Sequence, residues 1–199
     1  LTRYRPPDEF ESSTHIVRND TGVFEGGEIS MFYDPMIAKL CTWAPTRSEA
    51  IAHMREALDG FEVEGIGHNL PFLSAVMDHH KFVKGDITTA FIQEEYPQGF
   101  TGVELPEDDL LRIAASCAAM NRVAEIRRTK ISGRMDNHER RVGDNWIVTL
   151  QDKKYELKIF ADQLGSTVQF KGGSKIRVEG IWTPGDQLAK MVVDDKKLT

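Results

Sequence analysis

Between Asn145 and Val193 the chain alternates apolar and polar residues in five short runs, 146–150, 155–160, 167–170, 175–182 and 188–193. Turn signals at Asp152-Lys153, Gly172-Gly173 and Pro184-Gly185 separate most of them. Period-two alternation broken by turns predicts an antiparallel meander with one apolar face. A sheet of that kind needs a cover, and the same half of the chain supplies one. Glu107 to Arg128 reads as a single long helix whose residues Leu110, Leu111, Ile113, Ala114, Cys117, Ala118, Val123 and Ile126 form a wide apolar face. Glu107, Asp108 and Asp109 sit at its start, and Arg127, Arg128 and Lys130 at its end, which complements the helix dipole. Five strands fall short of the roughly eight that close a filled barrel. The expected product is a helix on an open sheet, or a partial barrel whose last strands lie elsewhere.

The first half has a different texture. Val17 to Val23 and Glu28 to Tyr33 read as strands turned through Glu25-Gly26-Gly27, and Met36 to Trp43 as another strand. Thr46-Arg47-Ser48-Glu49 fits a capping box, with Ala50, Ile51, Met54 and Leu58 following at helical spacing and Gly60 as a stop. A second helix is expected from Asn69, with Pro71 in its first turn, and a short third one from Thr88 to Glu95. Pro97 to Pro106 holds two prolines and two glycines without a helical period, so it reads as a linker. The expected fold class is α+β. It comprises a lobe over 1–96, a linker over 97–106 and a second domain over 107–199. That domain has a helix at 107–128, a connecting segment at 129–144 and strands at 145–193.

Composition narrows the function. A formal net charge of −6 argues against a general nucleic-acid role. No apolar run approaches the roughly 20 residues of a membrane helix. Two cysteines, Cys41 and Cys117, lie in apolar surroundings and read as reduced core thiols, which suits a cytosolic or mitochondrial-matrix protein. The chain opens on Leu1 and closes in the polar stretch DDKKLT just after an apolar strand, so both ends read as cuts in something longer.

The motifs are sparse. His79-His80 reads as a polar helix end, because adjacent helical residues point about 100° apart and zinc needs three or four convergent ligands. Gly22 to Gly27 carries no phosphate-loop pattern and favours a hairpin. Lys130 to Arg141 is basic and aperiodic, yet holds Ile131 and Met135 beside Arg134, His138, Arg140 and Arg141. Long loops in compact domains tend to be functional or disordered, and Arg and Met are enriched at interfaces. The segment is therefore either a docking element or a solvated loop. Asp34, between Tyr33 and Pro35, either ends a strand in a turn or offers a carboxylate to an arginine near a cleft.

The runs LTRYRPP, VRNDTGVFEGGEISMFYDPMIAKL, RSEAIAHMREAL and EGIGHNLPFL together resemble the C-terminal lobe of biotin carboxylase domains. The continuation FVKGDITTAFIQEEYPQGFTG, with the long helix and meander after it, resembles the α subunits of propionyl-CoA carboxylases and their linking BT domain. The resemblance implies an ATP-, magnesium- and bicarbonate-dependent carboxylation of protein-bound biotin, followed by carboxyl transfer on a carboxyltransferase β subunit. It implies as partners that subunit and the biotin carrier domain of the same chain. It places Tyr33 and Asp34 beside the cleft, with Asp34 orienting an upstream arginine. It also places the main catalytic residues upstream of Leu1 and the Met-Lys-Met attachment motif downstream of Thr199. Alone, this chain is expected to bind no cofactor and to be inactive. Arg18 matches a position used in bacterial carboxylase dimer contacts, but Asn19 and Asp20 depart from that pattern, so the dimer is not carried over.

Overall fold

The structure is a computed structural model that describes residues 1–30, 32, 34, 36–130, 132, 140–186 and 188–199. The chain divides into two compact units, Leu1–Val103 and Glu104–Thr199.

The first unit is built on a three-stranded antiparallel sheet. β2 (Phe10–Glu11), β3 (Ile16–Thr21) and β4 (Ala38–Trp43) lie in that order, with Ile16 opposite Trp43 and Thr21 opposite Ala38. A separate ribbon pairs β1 (Arg3–Arg5) with β5 (Glu62–Glu64). Between them runs α1 (Arg47–Asp59), which starts on the predicted capping box: Thr46 accepts from the Glu49 backbone, and the Glu49 side chain reaches back to Thr46. Reciprocal capping satisfies two donors that a helix start otherwise leaves open. α2 (Leu70–Asp78), α3 (His80–Lys84) and α4 (Phe91–Glu95) follow. Arg55 and Arg47 of α1 donate to the carbonyls of Met77 (3.0 Å) and Phe82 (2.7 Å), which ties α1 to α2 and α3.

Two expectations fail here. No strand forms over Glu28–Ser30, so Glu25-Gly26-Gly27 does not turn a hairpin. Its backbone is spent on the start of the chain instead. Gly26 donates to the Leu1 carbonyl at 2.8 Å, and the Leu1 nitrogen donates to the Gly27 carbonyl at 2.9 Å. β3 therefore takes β4 as its neighbour. His79 and His80 do meet, with ring centroids 4.7 Å apart. The helical projection does not apply, because His79 is extended (φ −68°, ψ 128°) and separates α2 from α3.

The second unit is one helix on one sheet. α5 (Glu107–Thr129) covers an antiparallel sheet of β6 (Asn145–Leu150), β7 (Lys153–Ala161), β8 (Gly165–Phe170), β9 (Lys175–Glu179), β10 (Met191–Val193) and β11 (Lys196–Leu198), each beside its sequence neighbour. Among the described residues the sheet is open, with β6 and β11 at its edges. Register puts the apolar residues in rows. Ile159 faces Val168, which faces Ile176, while Trp146 faces Leu157 and Leu157 faces Phe170. These rows pack on Leu110, Ala114, Ala115, Ala118 and Ala119 of α5.

That face is not quite the expected one. Cys117 and Val123 are exposed, and the buried stripe has shifted toward the alanines, whose short side chains leave room for the long ones of the sheet. Cys41 is half-buried, so neither cysteine is a core residue, although both are free thiols. The stretch DDKKLT is also more than a turn. Asp194 and Asp195 take positive φ (47° and 64°), the pairing of a two-residue primed hairpin, and Lys196–Leu198 returns as β11.

Gly165, opposite Glu179, sets the closeness of β8 and β9. A Cβ built there would lie 2.2 Å from the Val178 carbonyl oxygen, whereas one at Gly22 would meet nothing within 4 Å. Gly165→Ala should cost about 1–3 kcal/mol through forced backbone shifts. Gly22→Ala should be neutral or slightly stabilising. Urea midpoints of the two variants check this, and equal midpoints would contradict it.

Candidate functional site

Asp34, Met36, Ile37, Ala38 and Leu40 border a pocket of about 780 Å³ within the first unit. β4 and its approach contribute Ile37, Ala38 and Leu40, β5 contributes Val63, and α2 contributes Leu70 and Leu73. Asp34, His68 and Asn69 supply polar groups around these apolar walls. Met36, Ile37, Ala38 and Leu40, apolar residues of the segment expected as a strand, line this cavity, and Met36 is 58% exposed. Asp34 is exposed, and its carbonyl accepts from the Met36 backbone at 2.7 Å in a tight local turn. Among the described residues its carboxylate has no ion-pair partner. Tyr33 lies outside the described residues. The pocket can take an apolar surface with a carboxylate at its border. Among the described residues it brings together no nucleophile and base.

The other predicted cluster lies at the end of α5 in the second unit. Ile131, Arg134, Met135 and His138 lie outside the described residues. Arg140 and Arg141 are both exposed, and a second cavity of about 390 Å³ is lined by them with Asn121, Glu125, Gly143 and Trp146. Glu125 escaped the sequence reading. It is the one buried acidic side chain among the described residues, at 9% exposure. It accepts from Arg128, three residues along the helix, and from Arg140, fifteen residues along the chain. One signal could have found it. A carboxylate close to a helix C-terminus is disfavoured by the dipole, so Glu125 among Arg122, Arg127 and Arg128 asks for a local reason.

The histidine pair takes part in local contacts. The His79 Nδ1 accepts from the Lys81 backbone at 3.3 Å, capping α3, and its Nε2 lies 3.2 Å from Glu95 Oε2. Lys81 donates to the other Glu95 oxygen. Among the described residues no three His, Cys, Asp or Glu side chains converge as metal ligands. The Lys81 ammonium holds the Glu95 carboxyl below its usual range, against the opposing effect of partial burial. A carboxylate with a lowered folded pKa adds stability above its unfolded pKa of about 4.3 and loses it as pH falls through the lower folded value. Lys81→Gln should therefore be less stable than the parent at pH 7, and the gap should close as pH drops below about 4. Thermal melts of both proteins across that range are the check. A gap independent of pH would assign the loss to packing.

Residues 1–94 match the biotin carboxylase C-terminal domain, and residues 113–199 match the propionyl-coenzyme A carboxylase BT domain. The propionyl-CoA carboxylase alpha chain of Ruegeria pomeroyi is 66% identical over 213 aligned residues, covering 100% of this chain and 31% of that protein. The mitochondrial propionyl-CoA carboxylase alpha chain of Rattus norvegicus is 32% identical, covering 96% of this chain and 26% of that one. Among solved structures, a biotin carboxylase domain of Hydrogenobacter thermophilus 2-oxoglutarate carboxylase shares 35% identity with a TM-score of 0.44, covering 51% of this chain and 21% of that chain. The chain thus spans less than a third of the length of either alpha chain. With a biotin carboxylase C-terminal domain followed by a BT domain, it belongs to the propionyl-CoA carboxylase alpha chains.

Proposed function

We propose that this chain is the part of a propionyl-CoA carboxylase alpha subunit that forms the back of the carboxylase lobe and docks the carboxyltransferase β subunit. The whole enzyme would use ATP and bicarbonate to carboxylate biotin and then pass the carboxyl group to propionyl-CoA on the β subunit. The observation that carries this reading is the succession of the two domain matches, 1–94 and 113–199, in a single chain. The biotin carrier domain of the same subunit is the second partner. The compartment would be the bacterial cytoplasm or the mitochondrial matrix. No helix among the described residues is long and apolar enough to cross a membrane.

We assign magnesium, ATP and biotin to the whole enzyme rather than to this chain alone. Among the described residues no three potential ligands converge, and the sequence has neither a glycine-rich phosphate loop nor a Met-Lys-Met motif. These groups are assigned to other parts of the parent protein. What this chain supplies to the carboxylase side is the pocket wall of β4, β5 and α2, with Asp34 at its edge. Tyr33 and Asp34 are the cleft-adjacent residues in this reading, and Asp34 orients an arginine from upstream. In the full-length enzyme, Asp34→Asn should lower bicarbonate-dependent ATP turnover roughly tenfold by loosening that arginine, with the melting temperature unchanged. Unaltered turnover would remove Asp34 from the reaction.

Docking is assigned to Ile131, Arg134, Met135, His138, Arg140 and Arg141. Apolar and guanidinium side chains in one segment suit an interface, where Met and Arg are enriched and buried anchors dominate the affinity. Replacing residues 131–139 by an equal length of glycine and serine in the full-length alpha subunit should abolish capture of the β subunit while the fold survives. Retained capture would overturn the docking assignment.

A further inference from the structure

Glu125 is a buried carboxylate that neither the cleft nor the sheet explains. Burying a carboxylate costs several kcal/mol unless it is paired and hydrogen-bonded, so the burial of Glu125 depends on the cations that pair with it. Its cations come from opposite ends of the connecting segment. Arg128 lies in the last turn of α5, just before the segment leaves the helix, and Arg140 lies where the chain returns toward β6. Neighbouring contacts secure the same region. Arg122 lies 4.0 Å from Asp144, the Trp146 Nε1 donates to the Gly143 carbonyl at 3.0 Å, and Arg127 donates to the Pro184 carbonyl at 3.1 Å.

We infer that Glu125 is a positioning residue for docking: one buried carboxylate clamps Arg128 and Arg140 together and so fixes both ends of the connecting segment. This rests on the docking role proposed above. The clamp holds Arg128 and Arg140 at one carboxylate before any partner arrives, and groups held in place beforehand cost less to order on binding. It also leaves Arg141, exposed at the border of the same cavity and without an ion-pair partner among the described residues, as the cation available to a carboxylate of the partner.

The test uses the full-length alpha subunit with its β subunit and three variants, Glu125→Gln, Arg140→Gln and the pair together. Glu125→Gln keeps the shape of the side chain and removes its charge. Two quantities are read: the rate of tryptic cleavage within 130–141 of the free alpha subunit, and the affinity for the β subunit. Trypsin cleaves after Lys130, Arg134 and Arg141 in every variant. The expected result is cleavage faster by roughly tenfold in Glu125→Gln, as local opening becomes easier. Affinity should weaken in each single variant, with the double variant little worse than either, the non-additivity of a coupled pair. Lys153→Gln, which removes an ion pair to Glu107 at the other end of α5, is the control for a general loss of helix docking and should move neither quantity. If glycine–serine replacement of 131–139 abolishes capture while Glu125→Gln changes neither cleavage nor affinity, the clamp is wrong and docking stands. If capture survives that replacement, the docking reading falls and the role given to Glu125 falls with it.

Discussion

The second unit depends on one constraint: the apolar face of a six-stranded sheet has to be covered by a single helix. Ile159, Val168 and Val193 are fully buried because α5 presents alanines where they point. A helix face of leucines would hold the sheet farther off, while alanines let branched side chains fill the space between at interior density. The same constraint orders the ends of the helix. Glu107 accepts from Lys153 at 2.7 Å and from the Tyr155 hydroxyl at 3.3 Å, which ties the start of α5 to β7. At the far end, Glu125 occupies the helical row of Leu110, Ala114 and Ala118, continued by turns. It is buried because of that row, and its charge is balanced by arginines from outside it.

The first unit follows a different logic. Its elements are short, and apart from the β2–β3 hairpin its backbone is tied together through contacts distant in sequence. Tyr4 is buried against Phe61, 5.6 Å between ring centroids, and its hydroxyl accepts from Asn19 at 3.1 Å. Phe72, Tyr96 and Phe100 form a second aromatic group where α2 meets the chain after α4, with centroids 5.2 and 5.5 Å apart for the pairs with Phe72. The pocket lies between β4, β5 and α2, and its walls are the residues that hydrophobicity alone would send to a closed core. Hydrophobic patterning reports which residues avoid water. It does not report whether the surface opposite them belongs to the same segment of chain.

Charge is legible in the sequence in bulk and incompletely in place. Acids at the start of α5 and bases at its end follow the dipole, as the residue order indicates. The single exception, Glu125, carries the most information, because it violates that order and sits on the buried row. The outer surface of the sheet has a comparable case. Arg177 makes a bidentate pair with Asp162, at 2.6 and 2.9 Å, and a further contact to Glu179 at 3.0 Å. Asp162 also accepts from the backbone of Leu164 and Gly165, so the turn from β7 to β8 and the strand β9 are locked together. Arg177 lowers the Asp162 carboxyl well below the usual carboxylate range.

By itself the sequence determined what is local. Period-two alternation announced the meander, the 3.6-residue period announced the long helix, and Thr46 with Glu49 announced a cap, because each depends on neighbours within a few residues. The family resemblance was legible for the same reason, in contiguous runs of residues. Only the tertiary structure decided which strand pairs with β3, since the glycines at 26 and 27 had two possible partners and took the backbone at Leu1. Only it decided that Cys117 faces out while Ala115 and Ala119 face in, because the packing partner rather than the helix's own period selects which stripe is buried. And only it brought Arg140 back to Glu125, because a contact across fifteen residues is settled by where the sheet returns the chain, which no local pattern encodes.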